Sequence, residues 1–93
     1  MQIDAIMNEI IRICRKYQAK EVILFGSRAK GTATDKSDID IAVTGVSDLV
    51  NLEAEIEDIP TLFSVDVVDL DTRINPLLLE DIRQYGRKIY SEI

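Results

Sequence analysis

Ninety-three residues, 46% hydrophobic and 30% charged, bound the chain to a single globular domain, expected over residues 1–93. A net charge of −6 excludes a module that holds nucleic acid by surface charge, which would need clustered Lys and Arg. The lone cysteine, Cys14, rules out an internal disulfide; with no leader-like N-terminus and no apolar run near the roughly 18 residues of a membrane span, the expectation is a cytoplasmic chain without a membrane partner.

Ile3, Ile6, Met7, Ile10, Cys14 and Tyr17 recur at spacings of three and four, which predicts a helix over 3–18. Ile11 and Ile13 widen its apolar stripe beyond the usual minimum, so its edge near Ile11 is a candidate contact with another chain. Cys14 falls within the stripe and reads as core. Residues 21–25 predict the first strand. Gly26 follows, a residue that adopts backbone conformations closed to others and lets a phosphate come near the chain. One helical turn is expected over 28–31, then loop, with Ser37 bracing the entry to a second strand over 39–43.

Ser47 is the expected N-cap of a helix over 48–58 that presents Leu49, Leu52, Ile56 and Ile59 on one face. Glu53, Glu55, Glu57 and Asp58 read as its solvated side, and Pro60 stops it. A third strand over 63–70 places Phe63, Val65 and Val67 on one face and Ser64, Asp66 and Val68 on the other. Asn75-Pro76 opens the last helix, with a buried stripe of Leu78, Leu79, Ile82 and Tyr85, Leu77 off it, and Gly86 as the C-terminal cap. Residues 88–90 read as a last short strand.

The stretch from Phe25 to Val43 organises the rest. A strand repeats every second residue, so Asp38 and Asp40 share a face while Ile39, Ile41 and Val43 take the other. Like charges at that spacing repel unless a cation lies between them, and oxygen ligands suit a hard divalent ion. The Gly26-Ser27 turn beside them offers N–H groups and a hydroxyl to a phosphate. An Asp-rich capped turn is the plainer alternative. The second and third strands each pair a β-branched face with a carboxylate face. The expected architecture is therefore α/β (α+β): one small domain, a mixed β-sheet, helices packed on one face and an open catalytic face.

Gly26-Ser27, followed after residues 28–37 by Asp38-Ile39-Asp40 on a strand, resembles the signature of the DNA polymerase beta-like nucleotidyltransferase superfamily. The wording Gly-Ser-Arg-Ala-Lys-Gly and Ser-Asp-Ile-Asp-Ile-Ala-Val is most similar to the minimal nucleotidyltransferases, short prokaryotic members that include antitoxin-like partners of HEPN toxins. The resemblance spans about residues 20–90. It implies the nucleotidyltransferase fold and transfer of AMP from ATP to a hydroxyl, in such antitoxins a tyrosine of the companion toxin. It implies Asp38, Asp40 and Asp66 as catalytic residues and metal ligands. Two Mg2+ ions, with Mn2+ able to substitute, would sit about 3.5–4 Å apart, as in-line phosphoryl displacement uses. Asp69 and Asp71 are rivals of Asp66 for the third place. Gly26, Ser27 and Arg28 would bind the nucleotide, Arg28 by neutralising charge on the leaving pyrophosphate. Lys30 is a weaker candidate, and a surface arginine is the plain reading of Arg28.

Two other functions compete: a non-catalytic module that neutralises a partner by contact, and a small-molecule nucleotidyltransferase of the aminoglycoside kind. Larger superfamily members carry an added helical domain that holds the acceptor, so an acceptor from another chain, and a hetero-oligomer, are expected. Passive binding has no use for three carboxylates, which favours transfer.

Overall fold

The computed structural model describes residues 2–92; Met1 and Ile93, the ends of the expected domain, lie outside the described residues. The order is α1 (Ile3–Lys16), β1 (Glu21–Phe25), α2 (Gly26–Lys30), β2 (Ile39–Thr44), α3 (Leu49–Glu57), β3 (Val65–Asp69), α4 (Pro76–Tyr85) and β4 (Arg87–Ser91). The four strands form one mixed sheet in the order β3-β2-β1-β4. β1 runs antiparallel to both β2 and β4, while β2 and β3 are parallel and joined through α3.

The main core lies on the face where the β-branched residues point. Ile39, Ile41 and Val43 of β2 and Val22 of β1 pack there against Ile6, Ile10, Ile13 and Cys14 of α1 and Leu52 and Ile56 of α3. The 3.6-residue period of α1 and the two-residue period of the strands thus meet in one layer. α1 stops two residues before the expected end because Gln18 takes a left-handed conformation, φ 66°, which a helix cannot continue through. Ile11 is half-buried at the stripe's edge, as its position suggested.

The other face is not wholly open, and this corrects the expectation of helices on one side only. Ala42 and Phe25, buried there, pack with Ile82 of α4, and Ile23, Val68, Leu70 and Leu78 complete that second cluster. α4 therefore covers one end of the carboxylate-bearing face, and Lys30 of α2 joins Asp81 of α4 through an ion pair of 2.8 Å. The apolar residues at alternate strand positions, Ile23, Ala42 and Val68, demand that cover. Tyr85, expected in the buried stripe, is instead 46% exposed and carries the Lys30 ammonium over its ring at 5.0 Å.

Asp48, not Ser47, caps α3: its side chain accepts from the Asn51 N–H at 3.1 Å. The Ser47 hydroxyl donates instead to the Tyr17 carbonyl at 3.0 Å, joining the start of α3 to the end of α1. Asn75 caps α4 with Pro76 in its first turn, as expected. Gly86 ends α4 with extended backbone rather than a left-handed turn; a Cβ there would lie 2.3 Å from the Ile82 carbonyl oxygen. No helix among the described residues is long and apolar enough to cross a membrane.

Candidate active site

Antiparallel pairing brings the last residue of β1, Phe25, opposite Asp40 on β2. Parallel pairing brings Asp66 on β3 opposite Asp40 from the other side. The end of one strand and the starts of two others therefore meet at one rim of the sheet. The chain leaves β1 there through Gly26, whose φ of +71° is left-handed. A Cβ on Gly26 would lie 2.2 Å from an oxygen of the Asp40 carboxylate, so only glycine fits both the turn and its neighbour.

α2 begins at Gly26, earlier than the sequence suggested, so Gly26 and Ser27 form its first turn. No side chain caps that turn, and Gly31, left-handed at φ 78°, closes the helix. Arg28 lies half-buried. Its Nη2 donates to the Ser37 carbonyl at 2.8 Å, and its guanidinium carbon lies over the Phe63 ring, 5.0 Å from the centre. Ser37 braces the turn as expected, its hydroxyl oxygen accepting from the Thr34 N–H at 2.8 Å.

Burial first, then the negative charges of Asp66 and Asp38, raise the Asp40 carboxyl above its ordinary pKa, and contact with the Asp66 carboxylate adds to the rise. Strand register makes Asp40 and Asp66 cross-strand neighbours, and the charge of Asp38 also acts on Asp40. Among the described residues, no group of three or more metal-ligating side chains converges as a ready-made cage, so the expected triad is not preassembled. The residues nonetheless fit a hard divalent cation. Their donors are oxygens, crowded enough to disfavour the charged form of one carboxyl. Magnesium is commonly held by one or two carboxylates, with waters and substrate phosphates completing its shell.

The rivals of Asp66 lie at the opposite end of the sheet. Asp69 pairs with Val43 and accepts from the Asp71 N–H at 2.9 Å, while Asp71 accepts from the Gly45 N–H at 2.6 Å. Both are tied into the turn after β3. A groove of about 310 Å³, lined among others by Phe63, Ser64 and Asp66, adjoins the carboxylate rim. Leu62, just before it, is fully exposed.

Residues 8–92 match the polymerase beta nucleotidyltransferase family model. The chain belongs to that family. As a nucleotidyltransferase it is 37% identical over 87 residues, 88% of its own length and 91% of the relative's, to a Methanocaldococcus jannaschii protein named as a candidate protein adenylyltransferase. Its fold matches a toxin–antitoxin crystal structure with AMP-PNP at TM-score 0.68 and 29% identity, over 91% of this chain and 73% of that one. It also matches a MntA–HpeT toxin–antitoxin variant, in which two aspartates two positions apart are changed to glutamate, at TM-score 0.66 and 27% identity, over 91% and 73% of the two chains.

Sequence reasoning singled out Arg28 for phosphate and did not connect it with Phe63. That pairing joins α2 to the entry of β3, and Phe63 looked like one more alternating strand residue. It missed Leu62 as well, for which an apolar residue beside Pro60 carries no warning.

Proposed function

We propose that this nucleotidyltransferase transfers AMP from ATP to a hydroxyl, most simply a tyrosine, of a HEPN-like partner protein, and so acts as the antitoxin of a toxin–antitoxin pair. The observation that carries the reading is the rim itself, where Gly26 leaves room for Asp40 and strand register sets Asp66 beside it. The M. jannaschii relative named for protein adenylylation and the toxin–antitoxin neighbours support the choice of acceptor.

A divalent cation, magnesium or manganese, bound by Asp40 and Asp66 with Asp38 beside them, would neutralise the carboxylates and hold the nucleotide phosphates. The uncapped N–H groups at Gly26 and Ser27, with the Ser27 hydroxyl, would orient those phosphates. The acceptor oxygen attacks the α-phosphorus, a new P–O bond forms, the bond to the bridging oxygen breaks and pyrophosphate leaves. Asp66, exposed at the rim, takes the hydroxyl proton. Positioning supplies most of the acceleration in such a reaction, and a protein acceptor seated over the rim would provide it.

The test is to incubate the purified chain with α-labelled ATP and magnesium, with and without the protein that co-purifies from its native cell. Label on a tyrosine of that protein, located by mass spectrometry and lost in Asp40→Asn, is the expected result. Efficient labelling of an aminoglycoside by the chain alone would replace this reading. Neutralisation of the partner undiminished in Asp40→Asn would favour a contact-only module.

A further inference from the structure

Of the three aspartates, two are placed by the sheet and one is not. Asp40 and Asp66 sit opposite each other within the parallel ladder of β2 and β3. Asp38 precedes β2, which begins at Ile39. The ladder is sealed at that point by the Ile39 N–H donating to the Ser64 carbonyl at 2.9 Å, which fixes the peptide between Asp38 and Ile39 and leaves the other side of Asp38 to the loop. On that other side the position of Asp38 depends on Ser37. Ser37 is held locally by its N–H to the Thr34 carbonyl at 3.1 Å, and from outside the loop by Arg28 on its carbonyl at 2.8 Å.

Arg28 already makes two contacts within the protein. One Nη donates to main chain, and the guanidinium carbon lies over the Phe63 ring. The Nε–H is buried with no hydrogen-bond partner among the described residues. Enclosing that donor unpaired is unfavourable, so the other two contacts impose the position. They link three segments: α2, the loop before β2 and the loop before β3. A planar, always-charged fork can stack on a ring while donating from its edge, which an ammonium cannot do.

We propose that Arg28 is a positioning residue: it anchors on Phe63 and clamps the Ser37 carbonyl, thereby holding Asp38 at the metal-binding rim. The proposal rests on the reading of Asp38 as a metal ligand given above. Arg28 then affects the cation before any nucleotide arrives, and its charge alone does not suffice.

Calorimetric titration of the purified chain with MnCl2, without nucleotide, tests this. Arg28→Ala should weaken Mn2+ binding about tenfold, the lower end of what loss of an outer-shell partner costs a metal site. Arg28→Lys should fall with it. In an Asp38→Asn background, Arg28→Ala should change Mn2+ affinity less than twofold, because both substitutions remove the same contribution. Wild-type Mn2+ affinity in Arg28→Ala, or effects that multiply independently with Asp38→Asn, would overturn the proposal. If the wild type itself fails to bind Mn2+, the metal reading fails, and amide exchange decides Arg28 separately. Exchange at the hydrogen-bonded amides of Ser37 and Ile39 should then be at least tenfold faster in Arg28→Lys, with β1 unchanged; unaltered exchange there sinks the clamp.

Discussion

The Asp40 carboxyl, raised above its ordinary pKa by burial and by Asp66 and Asp38, makes the metal-free protein sensitive to pH in a definite direction. The native state binds that proton more tightly than the unfolded chain does. Stability is therefore greatest below the ordinary aspartate value of about 3.9 and declines as pH rises from there through the folded value, so far as Asp40 is concerned. At neutral pH the native state retains the unrelieved repulsion. Asp40→Asn should accordingly raise the melting temperature at pH 7 in the presence of EDTA and remove this contribution to the pH profile. A lower melting temperature in the variant would mean that Asp40 is stabilising as an ion. Cys14 behaves oppositely to a reactive thiol: burial pushes it up to about 11, leaving it inert core at neutral pH.

At the scale of elements, two helices on one face are joined by polar contacts as well as core. Glu55 of α3 accepts from Lys16 at 3.0 Å and from the Tyr17 hydroxyl, so the supposed solvated side of α3 includes one residue tied to α1. Those bonds, the Tyr17 hydroxyl's first, lower the Glu55 carboxyl below its ordinary pKa. The start of α3 separates two neighbouring polar residues by role. Asp48→Ala removes the N-cap and should cost about 0.5–2 kcal/mol in urea unfolding. Ser47→Ala removes one exposed hydrogen bond to the Tyr17 carbonyl and should cost less. The reverse order would return the cap to Ser47. The sequence pattern could not separate these residues, since both types cap helices and adjacent positions differ only in which backbone N–H the side chain reaches.

For the whole molecule, a cation that binds only the native rim should stabilise the fold by mass action, by about 2.7 kcal/mol at a hundredfold excess over Kd. A rise in melting temperature with Mn2+ that disappears in Asp38→Asn plus Asp40→Asn is the expected outcome; a full response in the double variant would place the ion elsewhere. Most of the fold was legible because its periods are clean: Ile39, Ile41 and Val43 alternate, and Ile6, Ile10 and Cys14 recur with the helical turn. The side on which α4 lies was less legible. Its stripe says that it packs, not on which face, and the clue lay in Ala42 and Val68, apolar residues on the carboxylate side. The candidate site was legible where it is local, at Gly26 and the Asp-x-Asp pair. The clamp of Arg28 on Ser37 and Phe63 was not, because it exists only after β2 and β3 have paired.

The fit of Gly26 against Asp40 also bears on how this signature can drift. With Asp40 in place, any side chain at position 26 meets the carboxylate and must push it aside, so a mutation there is opposed by the backbone and, while catalysis is under selection, by the displaced carboxylate as well. Once Asp40 has become a smaller residue, the steric half of that constraint is gone, and only the left-handed backbone still favours glycine. Loss of the aspartate should therefore come first and loss of the glycine second. A descendant that keeps the glycine without the aspartate would be a lineage recently retired from chemistry, and one that lacks both an older retirement.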